Sequence, residues 1–120
     1  MPMPGKTILI VEDEPLIAMM LEDFLESLGH AVIGTCESVE DALARVTAGG
    51  FDLAIIDVQL KDGKQVWPVA DRLAESGTPF ILATGGHVDP PPAKHAAAPV
   101  LCKPYTIDAI GPALEQAWAR

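Results

Sequence analysis

Apolar residues along this chain fall into two kinds of run, and the two kinds alternate. Lys6–Val11 is a short continuous apolar stretch rich in β-branched side chains, as expected of a strand covered on both faces. After Glu12-Asp13-Glu14, Pro15 marks the first turn of a helix. Along that helix Ile17, Met20, Leu21, Phe24 and Leu28 recur at helical spacing, with Glu22, Asp23 and Glu26 opposite, and Gly29 ends it. A strand is predicted over Ala31–Gly34. The helix Val39–Thr47 opens on a capping-box pattern, Ser38-Val39-Glu40-Asp41, and closes at Gly49-Gly50. Leu53–Asp57 is a third apolar run, this one ending on a carboxylate. Gln65–Glu75 reads as a helix with Val66, Ala70 and Leu73 on one face and Pro68 in its first turn. Strands follow at Pro79–Thr84 and Val100–Cys102. Thr106 caps a last helix reaching Trp118, which Gly111-Pro112 should weaken or kink.

Strands alternating with helices, on connections long enough for crossovers, give an α/β fold: a five-stranded, doubly wound parallel sheet with helices on both faces. The segment Gly85–Pro99 breaks the pattern. It carries Gly-Gly, three consecutive prolines (Pro90 to Pro92) and Ala96-Ala97-Ala98, so the fourth helix is expected to be short or irregular. With 120 residues the chain suits one domain, with its core from 6 to 118.

Composition narrows the function. Apolar residues make up 49% of the chain and aromatics only 5%, which suits close packing of small side chains and argues against disorder. A formal charge of −9 repels phosphate backbones, so nucleic acid is not expected as a partner. No apolar run approaches the roughly 20 residues of a membrane span, and Glu12-Asp13-Glu14 interrupts the first run too early for a signal peptide. Cys36 and Cys102 lie far apart, with no His at metal-ligand spacing; they read as two buried or half-buried free thiols in a reducing cytoplasm.

In open α/β sheets, ligands bind beyond the carboxyl ends of the strands. Those ends carry Glu12 and Asp13, then Asp57, Thr84 and Lys103. Carboxylates packed together repel unless a cation intervenes. Oxygen ligands with positions left for water and a phosphoryl group suit Mg²⁺, with an ammonium opposite to neutralise charge. Asp is a nucleophile in such transfers. Singly, each residue has a plainer reading: Asp13-Glu14 as a helix N-terminal charge, Asp57 as a cap, Thr84 as turn chemistry, Lys103 as a solvated loop. Five such residues at successive strand ends point jointly to a phospho-aspartate site.

That ordered set resembles the receiver domains of two-component response regulators. The matching stretches are Ile8-Leu9-Ile10-Val11-Glu12-Asp13-Glu14, Asp57 closing Leu53-Ala54-Ile55-Ile56, Ala83-Thr84-Gly85, and Lys103-Pro104-Tyr105. The resemblance implies a flavodoxin-like strand order 2-1-3-4-5. It implies that Asp57 accepts a phosphoryl group from a sensor histidine kinase or histidine phosphotransfer protein. It implies that Asp13, Asp57 and the backbone carbonyl of Gln59 coordinate Mg²⁺, with Glu12 acting through water. Lys103 would pair with phosphoryl oxygens, Thr84 would move toward them, and the Lys103–Pro104 bond would be cis. Three departures stand out: Glu12-Asp13 for Asp-Asp, Lys61 where Pro is usual, and Val100 where an aromatic is usual. Pro79-Phe80-Ile81-Leu82-Ala83-Thr84-Gly85-Gly86, with Trp67-Pro68-Val69-Ala70-Asp71, is similar to a receiver subgroup marked by Phe-Ala-Thr-Gly that often lacks an output domain, with Leu82 in place of its Phe.

The expected function is therefore a stand-alone phospho-acceptor, not an enzyme. It would signal to a downstream protein by contact, or relay or drain phosphate, with Gly85–Pro99 as its mobile element. Two rivals remain open at this stage. One is a protein-binding receiver indifferent to phosphorylation, which Val100 leaves open. The other is a Mg²⁺-dependent phosphatase of the haloacid-dehalogenase type, against which Gln59 stands where that class has its second Asp.

Overall fold

The computed structural model describes residues 5–58, 60, 65–85, 92–103 and 105–118. Its strands are β1 (Thr7–Val11), β2 (Ala31–Cys36), β3 (Leu53–Asp57), β4 (Phe80–Thr84) and β5 (Val100–Cys102). Its helices are α1 (Pro15–Ser27), α2 (Val39–Ala48), α3 (Trp67–Glu75) and α4 (Ile107–Trp118), with a 3₁₀ turn at Ala93–His95. The strands pair in parallel, as the alternation implied, in the order β2-β1-β3-β4-β5 that the receiver resemblance implied.

Strict alternation along the central strands divides the core into two layers. Leu9, Val11, Ala54, Ile56, Phe80 and Leu82 pack with Ala42 and Val46 of α2 and Val69, Ala70 and Leu73 of α3. Ile8, Ile10, Leu53, Ile55, Ile81, Ala83 and Leu101 pack with Leu21 and Leu25 of α1 and Ile110, Ala113, Leu114 and Ala117 of α4. Burying each large side chain of this kind contributes about 1.5–3 kcal/mol before chain entropy is counted.

Local sequence sets most element ends. Ser38 Oγ accepts from the Asp41 N–H at 3.1 Å and caps α2. Gly29, at φ +91, takes the turn between α1 and β2 that a side chain would strain. Four details depart from the pattern-based expectation. β2 continues through Thr35 and Cys36, since β1 pairs with it to Val11↔Cys36. The buried stripe of α1 is Ala18-Leu21-Leu25, with Ile17, Met20 and Phe24 at its margin and Leu28 exposed. α3 begins at Trp67 rather than Gln65, because Val66 serves as its cap residue. α4 runs unbroken across Gly111-Pro112: Pro112 faces solvent while Ile110, Ala113, Leu114 and Ala117 hold the opposite face in the core.

Residues 92–99 divide the segment expected to be irregular throughout. They form the 3₁₀ turn and then a docked stretch in which Ala98 and Pro99 are buried and Pro99 accepts from the Leu82 N–H at 2.9 Å. No regular fourth helix occurs among the described residues between β4 and β5. The thiols also differ from expectation, for Cys36 is buried but Cys102 is exposed on the edge strand.

Candidate functional site

Strand register brings the candidate residues to one end of the sheet. Val11 lies beside Ile56, Asp57 beside Ala83, and Thr84 beside Cys102, so each next residue in the chain emerges at the same edge. Backbone bonds extend this alignment past the strands. Glu12 N–H donates to Cys36 at 2.9 Å, Val58 N–H to Ala83 at 2.9 Å, and Lys103 N–H to the Thr84 carbonyl at 2.8 Å. Glu12, Asp57 and Thr84 are buried there, while Asp13 and Lys103 are half-buried.

Lys103 ties the site together. Its Nζ donates to Asp57 Oδ2 at 2.7 Å and lies 2.7 Å from Glu12 Oε1. Burial by itself would lower the Lys103 pKa, but its contacts with Asp57 and Glu12 outweigh that and hold it above the ordinary lysine value. Burial pushes the Glu12 carboxyl up, the Asp57 charge adds to the rise, and Lys103 and the Glu14 N–H pull against it. Glu12 Oε2 accepts that N–H at 3.1 Å. Oε1 is buried and, despite its ion pair with Lys103, receives no hydrogen bond of good geometry among the described residues.

One oxygen from each of Glu12, Asp13 and Asp57 lies within 4.8 Å of the others. Three carboxylates drawn together, one of them with a buried oxygen that pairs with Lys103 but has no hydrogen bond of good geometry among the described residues, are the donor set a hard divalent cation takes. The residues present therefore fit Mg²⁺. Gln59 and Pro104 lie outside the described residues, as do residues 61–64, so the carbonyl ligand and the Lys103–Pro104 bond do too.

Tyr105, which the sequence places in the Lys103-Pro104-Tyr105 stretch without a role of its own, is a further neighbour of the site. It is buried in the α1/α4 layer, and burial first, then the charges of Glu12 and Asp57, push its phenol well above the ordinary tyrosine value. The signal was there in an aromatic two residues after Lys103, but only packing buries it. Val100, in contrast, is half exposed on β5, while Leu101 fills the core position.

Residues 8–114 match the family described as the response regulator receiver domain. Among curated proteins, the phyllosphere-induced regulator PhyR of Methylorubrum extorquens is 42% identical over 79 residues, covering 64% of this chain and 30% of PhyR. The chain thus spans under a third of that relative's length. Among solved structures, SdrG from Sphingomonas melonis Fr1 is 51% identical with a TM-score of 0.86, covering 95% of this chain and 97% of SdrG. The BeF₃-activated conformation of SdrG from Pseudomonas melonis Fr1 is 53% identical with a TM-score of 0.78, covering 92% and 93%.

Proposed function

The chain belongs to the response regulator receiver domain family, and from that premise we propose that it is a phospho-acceptor switch whose acceptor is Asp57. The observation that carries this reading is the Lys103 ammonium held 2.7 Å from both Asp57 and Glu12 at the carboxyl end of the sheet. A transferred phosphoryl group needs that pairing of a nucleophilic carboxylate with a fixed cation.

In the proposed reaction an Asp57 oxygen attacks phosphorus of a phosphohistidine carried by a kinase or phosphotransfer protein. The new P–O bond forms as the P–N bond breaks, and the imidazole nitrogen keeps the electron pair and takes a proton. Glu12, Asp13 and Asp57, with the Gln59 carbonyl, would hold Mg²⁺, which when bound supplies neutralisation of phosphoryl charge. Lys103 turns its hydrogen bonds from Asp57 to the phosphoryl oxygens. Thr84, on the neighbouring strand end, responds to the new charge of roughly −1.5 to −2. That SdrG takes a BeF₃-activated conformation supports the reading, since beryllofluoride stands in for a phosphoryl group on a carboxylate.

The output of such a switch is a change in protein contact, in the cytoplasm, toward a downstream partner or back along a phosphorelay. No described helix is long and apolar enough to cross a membrane. Membership of the receiver-domain family favours this reading over the phosphatase rival. Intact mass after acetyl phosphate and Mg²⁺ tests the proposal. The wild type should gain one phosphoryl group and Asp57→Asn none. No gain by the wild type from acetyl phosphate or from a cognate kinase would leave the phosphorylation-independent binding module, whose partner binding Asp57→Asn would not alter.

A further inference from the structure

We infer that His95 is a positioning residue: it clamps residues 92–99 of the β4–β5 connection to α3, so that this stretch stays fixed when Thr84 responds. The inference rests on the phospho-acceptor reading and adds to it where the response stops.

His95 is 3% exposed, although it lies in a short connection on the surface of the domain. Its ring stacks on Trp67, the first residue of α3, with centroids 6.1 Å apart and planes 14° from parallel. Phe80, the first residue of β4, meets it edge-on at 5.5 Å and 75°. Nε2 lies 2.7 Å from Asp71 Oδ1, one turn further along α3. Asp71 is held below its ordinary pKa by the His95 contact first and by Lys94 second, so it is an acceptor only and the ring nitrogen is the donor. Lys94 Nζ reaches the same oxygen at 2.9 Å from the solvent side. The charged groups at the ring are therefore Asp71 and Lys94, and the other two walls are aromatic.

The backbone is fixed with the ring. His95 N–H donates to Pro92 at 2.8 Å, Ala98 N–H to His95 at 3.1 Å, and Pro99 receives the Leu82 N–H. Thus the connection that leaves the site at Thr84 is held again at His95, by α3 and by the start of β4. A ring that is buried, hydrogen-bonded to Asp71 and packed against two aromatics is held to one arrangement, because lifting it gives up that bond and opens a hole beside Trp67 and Phe80. Coupling between sites is carried by packed elements that have two discrete arrangements. The docked stretch 92–99 is held to one, so it acts as a fixed end.

The test is the NMR response of the ¹⁵N-labelled full chain to beryllofluoride with Mg²⁺. The wild type should show large shift changes at the amides of Thr84, Gly85 and Lys103. Those at Ala93–Ala98 and at the His95 ring nitrogens should be several-fold smaller. In His95→Ala the response should spread into Ala93–Ala98, and His95→Gln, which can still donate to Asp71, should confine it again in part. A role in stability alone would not move the boundary of the response. Wild-type changes at His95 as large as those at Thr84 overturn the inference while leaving Asp57 chemistry standing. No change at Thr84 and Lys103 removes the phospho-acceptor reading, and the clamp's role falls with it. The wild-type arm decides the matter even if a variant fails to fold.

Discussion

At the scale of single residues, the site trades stability for chemistry. Glu12 is a buried carboxylate whose pKa is raised, chiefly by burial and then by the nearby Asp57 charge. An acid with a raised folded-state pKa contributes stability below its ordinary value and loses that contribution as pH rises through the folded one. At neutral pH the ionised Glu12 is therefore a cost, kept because its buried Oε1 suits a cation. Glu12→Gln should raise the apo-protein's Tm by a few degrees at pH 7–8 and by almost nothing near pH 4, where both side chains are neutral. Thermal unfolding across that range without added metal checks the sign, and a variant less stable at pH 8 than at pH 4 relative to wild type would refute it.

At the scale of elements, α4 shows how packing overrides a local breaker. Pro112 is the sixth residue of the helix, lacks the N–H that would bond the Asp108 carbonyl, and faces water. The helix persists because Ile110, Ala113, Leu114 and Ala117 are all buried against the sheet. Pro112→Ala restores the bond without touching the core. The gain should be about 2–2.5 kcal/mol, the propensity difference of roughly 3 less the roughly 0.4–1 that proline contributes by stiffening the unfolded chain. Urea unfolding should show a higher midpoint at unchanged slope; a lower midpoint would mean that the ring itself packs usefully. The connection after Thr84 shows the converse. Its prolines and small residues argued against a regular helix, and its described residues 92–99 form a 3₁₀ turn and a docked stretch instead.

At the scale of the whole molecule, three carboxylates gathered at one sheet edge of a chain with charge −9 make folding and cation binding one equilibrium. A ligand that binds only the folded state adds about 2.7 kcal/mol of stability at a hundred times its Kd. Magnesium at such a concentration should raise the Tm of the wild type by roughly 8–15 °C for a domain of this size. Asp13→Asn should lose most of that shift while responding normally to NaCl of equal ionic strength. Equal shifts in both proteins would assign the effect to screening of the net charge and not to a site.

Order along the chain was enough to determine the fold class, the strand-end positions of Glu12, Asp13, Asp57, Thr84 and Lys103, and that the described residues between β4 and β5 form no regular helix. Periodicity is local, and a parallel sheet turns it directly into which residues share an edge. Three things needed the tertiary structure. Lys103 meets both Glu12 and Asp57, although 91 and 46 positions separate them, because register in three strands aligns them. Tyr105 is buried beside Leu101 and Ile110 because the chain packs against the sheet where it enters α4. His95, a lone histidine among alanines and prolines, becomes a buried clamp only where α3 supplies Trp67 and Asp71. Contacts between residues distant in sequence depend on how two surfaces meet, and no spacing along one chain segment encodes that.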